Sequence, residues 1–122
     1  MAKGIVTPEL IEQLKAIVGE KYVYTDKDKL EPYSHDEVTD PHYMKEPQVV
    51  VLPANTEEVA KVVKLCYDND TVMVPRAAGT GLAAGAVATF GGVIISIERM
   101  NKILEIDKQN MVCAVSYTHL TL

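Results

Sequence analysis

Two cysteines in 122 residues are too few and too far apart for a disulfide framework. Cys66 and Cys113 show no ligand-type spacing, so both are expected as reduced core residues of a cytosolic protein. A surplus of basic charge is also missing: the formal net charge is −5, which argues against nucleic acid or an anionic membrane as the main partner. No long apolar run is present either. The longest uncharged stretch, Ala77 to Ile97, is broken by Gly79, Gly81, Gly85, Gly91 and Gly92 and is too weakly apolar for a lone membrane span. Met1-Ala2-Lys3-Gly4 leads straight into a polar, helix-like pattern without the apolar segment of a secretory leader, and a cytoplasmic location is expected.

What is present is ordinary for a soluble globular protein: 48% hydrophobic and 24% charged residues, in a chain long enough for one domain at most. Thr7-Pro8-Glu9 reads as a helix start, with a hydroxyl cap, proline at the first helical position and an acid in the first turn. Leu10, Ile11, Leu14, Ile17 and Val18 share one face, and Gly19 stops the helix. From Glu20 to Glu46 the pattern loses its period. Tyr33-Ser34-His35-Asp36-Glu37, Asp40 and His42 supply metal-ligand types there, but at no ligand spacing, so a solvated loop is expected.

The next unit is β-α-β. Gln48 to Leu52 is a short apolar run suited to a strand buried on both faces. Asn55 and Glu58 form a capping-box pattern, after which Val59, Val62, Val63 and Cys66 recur at helical spacing. Thr71 to Val74 is the second strand, ended by Pro75, and Val93 to Ile97 is the third. Residues 103 to 106 and 111 to 115 make two more short strands joined by a turn at 107 to 110.

Between the second and third strands lies P-R-A-A-G-T-G-L-A-A-G-A, Pro75 to Ala86. Small residues where the backbone turns let main-chain N–H groups approach a ligand closely, and phosphate is the ligand that most often requires it. A Walker loop is excluded, because Gly85 is followed by Ala86-Val87 and not by Lys and a hydroxyl residue. Gly79-Thr80-Gly81-Leu82-Ala83-Ala84 does fit the dinucleotide pattern G-x-G-x-x-A, with Glu98 near the distance of a ribose-binding acid. Only Leu82 to Phe90 is available for the helix that pattern requires, which is short. A nicotinamide-binding half therefore stays as one alternative, and a non-catalytic α/β interaction module as another.

Pro75 to Ala86, followed by G-G-V-I-I-S-I-E-R-M-N-K-I-L-E-I-D, closely resembles the first half of the FAD-binding domain in FAD-linked oxidases of the vanillyl-alcohol-oxidase/PCMH type. Within that group it is most similar to the glycolate oxidase catalytic subunit and D-lactate dehydrogenase branch. Val49 to Pro53 with Thr56 to Val59 resembles the opening β-α unit, and Tyr33-Ser34-His35-Asp36 the Y-S-x-D approach. The resemblance implies an α/β (α+β) fold, the first subdomain of a PCMH-type FAD-binding domain, built as a β-α-β unit with short extra strands and an N-terminal helix. It divides the chain into an N-terminal helix and extended loop (1–47), the first half of the FAD-binding domain (48–115) and a foreign-looking tail (116–122).

For individual residues the resemblance implies that the backbone N–H groups of Arg76, Ala77, Ala78, Gly79 and Thr80 bind the FAD pyrophosphate, with the Thr80 hydroxyl as a further donor and Arg76 offsetting some charge. Gly81, Leu82 and Gly85 would carry the loop back under the cofactor, and Pro75 would end the strand at the phosphate. Relatives usually carry glycine at Ala77 and Ser-Gly at Ala83-Ala84, so a positive φ at any of these would be strained. Thr80 stands where some relatives attach FAD through histidine, which implies non-covalent FAD. The implied function is that of a flavin-dependent D-2-hydroxy-acid dehydrogenase, taking hydride from substrate C2 and passing electrons to an acceptor. No catalytic or metal-binding residue falls in these residues. The tail from Ser116, including His119, departs from the family and reads as truncation, so the chain alone is expected to be inactive and to hold FAD weakly or not at all.

Overall fold

The computed structural model describes residues 6–116. His119 and the rest of the expected tail beyond Ser116 lie outside the described residues; Ser116 itself ends the last strand. Helix α1, Pro8–Val18, begins as its sequence dictates: the Thr7 hydroxyl accepts from the Leu10 amide, and Gly19, at φ +97°, terminates it. A short strand β1 (Val23–Tyr24) and a one-turn helix α2 (Lys27–Leu30) follow. Neither shows in the sequence pattern, because both are shorter than any period that would reveal them.

Strand β2 is Val49–Val51 and helix α3 is Thr56–Asp68. Asn55 caps α3 by accepting from the Glu58 amide, while the Glu58 carboxylate reaches back to the Ala54 amide, one residue beyond the usual box partner. Of the four residues expected on the buried face, Val62 and Cys66 are fully buried, Val59 is half-buried and Val63 is exposed. Strands β3 (Met73–Arg76) and β4 (Val93–Ser96) complete a four-stranded sheet of order β1-β2-β4-β3. The β2, β4 and β3 strands are parallel; β1 runs antiparallel to β2.

Pro75 does not end β3, which runs through it to Arg76, paired with Ser96. The topology explains this correction. β3 is an edge strand bonded only to β4, so a missing N–H donor on its free side breaks no ladder bond.

The central parallel strands, β2 and β4, are buried on both faces, whereas edge strand β3 is half-buried with Pro75 exposed. Val49, Val51, Val93 and Ile95 meet Leu10, Leu14 and Val18 of α1 with Val62 and Cys66 of α3. The opposite residues, Val50, Leu52 and Ile94, pack with Leu30 and Ala88, flanked by Tyr24, Tyr33 and Val74. Ala88 belongs to the segment 77–92 that joins β3 to β4. A parallel connection normally returns through a helix; here it returns as turns and bends, with no helix. At its far end Gly92, at φ +91°, passes so close to the Val72 carbonyl that a Cβ would collide with it.

Strands β5 (Lys102–Asp107) and β6 (Val112–Ser116) form a separate antiparallel hairpin. Cys113 lies on it and is exposed. This corrects its expected place in the core: among the described residues no layer covers the hairpin's apolar side chains, Ile106 at 64% and Met111 at 90% exposure among them. Cys66 is buried as expected.

Candidate anion-binding site

β3 and β4 deliver their C-terminal ends, Arg76 and Ser96, side by side, and the glycine-rich loop leaves from that edge. In open α/β sheets ligands collect at this edge, where a connection departs from the carboxyl ends of the strands. Among the described residues, the backbone N–H groups of Ala77 through Ala83 donate no hydrogen bond within the chain. All of these residues except half-buried Gly79 are exposed. A run of successive unpaired amides offers a row of donors, each of which must be met by water or by a ligand acceptor.

Gly79, at φ +69°, turns the run, and a side chain there would run into the Arg76 guanidinium. Ala84 is also left-handed, at φ +57°, whereas Ala77 and Ala83 keep negative φ. The strain expected from replacing glycine therefore falls at one alanine of the three. Leu82 is 78% exposed and lines, with Val38, Tyr43, Ala83 and Ala84, a shallow cavity of about 240 Å³ beside the loop. A wider depression of about 710 Å³ at the other end of β3 is bordered by Asp68 and Asp70, the wrong sign for an anion.

Arg76 is buried, and its guanidinium donates from Nη1 to the Ala86 carbonyl at 3.2 Å and from Nη2 to the Pro32 carbonyl at 3.3 Å. It also sits 5.5 Å from the centre of the Tyr33 ring. Its charge is near the loop, and two of its five N–H donors are directed at carbonyls. Glu98, at the distance of a ribose-binding acid, instead accepts a hydrogen bond from the Tyr33 hydroxyl. Burial, and then the Glu98 carboxylate, hold that phenol well above its ordinary pKa. With no helix after Gly81 and Glu98 so engaged, the nicotinamide-type alternative loses both of its distinguishing features.

From its residue types and spacing the segment 31–38 reads as a solvated loop, and the family resemblance marks Tyr33 to Asp36 within it; the segment lies against the site. Besides Pro32 and Tyr33, the Glu37 amide donates to the Gly81 carbonyl at 3.0 Å. Asp36 is buried: Oδ1 accepts from the Val38 amide at 2.9 Å, and Oδ2 has no partner among the described residues. The available signal was the length of the aperiodic stretch, which is unusual for an idle connection. His35 instead approaches Glu31 at 4.0 Å through Nε2 and the Asp36 carbonyl at 3.4 Å through Nδ1, and Asp40 caps the His42 amide. Among the described residues no three His, Cys, Asp or Glu side chains form a group able to hold a metal, and no helix is long and apolar enough to cross a membrane.

Residues 47–117 match the sequence profile of a family described as FAD binding domain. The chain is 46% identical over 111 residues to a D-lactate dehydrogenase of Anaerostipes hadrus, covering 90% of this chain and 23% of that protein. It is 34% identical over 119 residues to glycolate oxidase subunit GlcD of Bacillus subtilis (strain 168), covering 97% of this chain and 25% of the relative. A D-2-hydroxyglutarate dehydrogenase of Stutzerimonas stutzeri is 36% identical over 103 residues, 84% of this chain and 22% of its own. Among solved structures, an alkyldihydroxyacetonephosphate synthase superposes with a TM-score of 0.77 at 24% identity, over 93% of this chain and 25% of the other. A substrate-bound p-cresol methylhydroxylase gives 0.71 at 27% identity, over 84% and 21%. The chain thus spans about a quarter of the length of the curated relatives it matches.

Proposed function

From the premise that the chain belongs to the FAD binding domain family, whose cofactor is FAD, we propose that its glycine-rich loop forms the pyrophosphate wall of the flavin site in a D-2-hydroxy-acid dehydrogenase. The observation that carries this reading is the run of unpaired amides from Ala77 to Ala83 at the carboxyl edge of β3 and β4. The names of the relatives support the substrate class, since D-lactate, glycolate and D-2-hydroxyglutarate are all small 2-hydroxy acids.

In this reading the unpaired N–H groups of Ala77 to Thr80 receive the pyrophosphate oxygens, the Thr80 hydroxyl adds a donor, and Arg76, whose own amide lies in the β3–β4 pairing, stands at the head of the run. Gly81, Leu82 and Gly85 take the chain away beneath the cofactor, with Leu82 offering apolar surface. Pro75, at the end of an edge strand, needs no amide of its own and sets the direction in which the loop departs. Bound FAD supplies a two-electron acceptor for the hydrogen at the C2 carbon of the hydroxy acid. These residues bind and orient; none of them takes the hydroxyl proton. An electron acceptor completes the turnover of the whole protein. Because Thr80 offers no imidazole, the flavin is held without a covalent bond.

Titration of the 122-residue chain with FAD, followed by flavin fluorescence, is expected to show weak binding that inorganic pyrophosphate displaces, and no dehydrogenase activity. Tight stoichiometric binding would contradict the picture of a single wall. A protein carrying this chain at the length of its relatives that bound no flavin at all would sink the reading. For that longer protein, flavin left in the pellet after acid precipitation would overturn the non-covalent assignment.

A further inference from the structure

The Arg76 side chain is oddly employed for a cation beside an anion-binding loop. It is 8% exposed, and its two terminal nitrogens diverge to carbonyls on different segments, Ala86 within the loop and Pro32 forty-four residues upstream. Its plane lies near the Tyr33 ring, and Tyr33 in turn donates to Glu98 just beyond β4. Further along the same upstream segment, Glu37 N–H holds the Gly81 carbonyl. Segment 31–38 is thereby fastened to the loop at Ala86 and Gly81, and to the sheet edge through Glu98. A rigid, forked guanidinium can serve two carbonyls at once; a lysine ammonium on a flexible stem is a single point of charge.

Resting on the functional reading above, we propose that Arg76 is a positioning residue that clamps segment 31–38 to the 77–86 loop, so that the strap it secures, and not the Arg76 charge, presents the loop amides to pyrophosphate. The placement of Gly79 accords with this, because any side chain there would push the guanidinium out of the clamp. Asp36 accords with it too. Its Oδ1 shapes the strap by accepting from Val38, and a Cβ added at Gly81 would come within 3.9 Å of its buried Oδ2, so the strap runs close to the loop at that point.

The test compares Arg76→Lys, which keeps the charge and loses the fork, with Arg76→Met, which loses both. Amide exchange at Glu37 reads the strap without touching Arg76, and inorganic pyrophosphate titrated against the 122-residue chain reads the loop. A clamp predicts that both variants speed Glu37 exchange by about tenfold or more, as local openings do when a tether is cut. Both should weaken pyrophosphate binding by similar factors, with the salt dependence of binding unchanged. If Arg76→Lys binds like the parent while Arg76→Met does not, the residue acts by charge and the proposal is wrong. Unchanged Glu37 exchange in both variants also overturns it. Absence of pyrophosphate binding by the parent chain would overturn the functional reading instead, and the exchange measurement would still decide the clamp. Should either variant lose its cooperative thermal transition, Tyr33→Phe carries the test. It releases the strap from Glu98 with Arg76 in place and is expected to shift both readouts in the same direction; no shift in either would refute the proposal.

Discussion

Ala84 holds a backbone conformation that glycine adopts freely and alanine does not. A left-handed L-residue costs roughly 1–2 kcal/mol, partly offset by the extra unfolded-state entropy that glycine brings. Ala84→Gly is therefore expected to stabilise the chain by a few tenths to about 1 kcal/mol in urea unfolding, whereas Ala77→Gly, at a negative φ, should be neutral or destabilising. Equal effects at the two positions would contradict the assignment of strain. Tyr33 gives a pH signature. Its folded pKa is raised, so its contribution is fully present below the unfolded value of about 10 and is lost as pH rises through the folded value. Stability should fall above about pH 10, and less steeply in Tyr33→Phe than in the parent. The two thiols separate in the same residue-by-residue way. Burial pushes Cys66 up to about 11, while Cys113 is exposed, so a disulfide reagent at neutral pH should label Cys113 quickly and Cys66 only as the protein unfolds.

For single elements, caps and close approaches decide the energetics. Asn55 holds the first turn of α3 by accepting from Glu58, and Asn55→Ala should cost about 1 kcal/mol in thermal or urea unfolding. Gly92→Ala should cost more, about 2 kcal/mol or above, since its Cβ would meet the Val72 carbonyl and its φ is positive. Helices α1 and α3 were readable from their caps and stripes because both signals are local. The passage of β3 through Pro75 is not legible in the sequence, because the cost of a proline depends on whether the strand has a neighbour on that side, and neighbours are a tertiary property. The absence of a crossover helix was readable in part, from the glycines at 79, 81 and 85 and the short distance to Gly91.

Across the whole molecule the sheet and the hairpin differ in kind. The central strands β2 and β4 are covered on both faces, whereas β5 and β6 pair with each other and, with the turn between them, expose Leu104, Ile106, Met111 and Val112. An isolated two-stranded ribbon is marginal in water. Amides of β5 and β6 should accordingly exchange through local opening, much faster than those of Val50 and Ile94, which should require global unfolding. Similar protection in both would mean that the hairpin is stabilised by contacts other than its own pairing.

By itself the sequence determined helices α1 and α3, the apolar strands, the turn between β5 and β6, and the glycine-rich loop whose composition implies phosphate chemistry. Each of these rests on interactions within a few residues: periodicity, a cap, a conformational preference. Tertiary structure alone decided that β4 enters between β2 and β3, that segment 31–38 lies along the loop, and that the Arg76 charge is turned onto two carbonyls. Those outcomes depend on which distant carbonyl, ring or carboxylate arrives beside a given side chain. No local pattern encodes that arrival, because Pro32 lies 44 residues from Arg76 and Glu98 lies 65 residues from Tyr33.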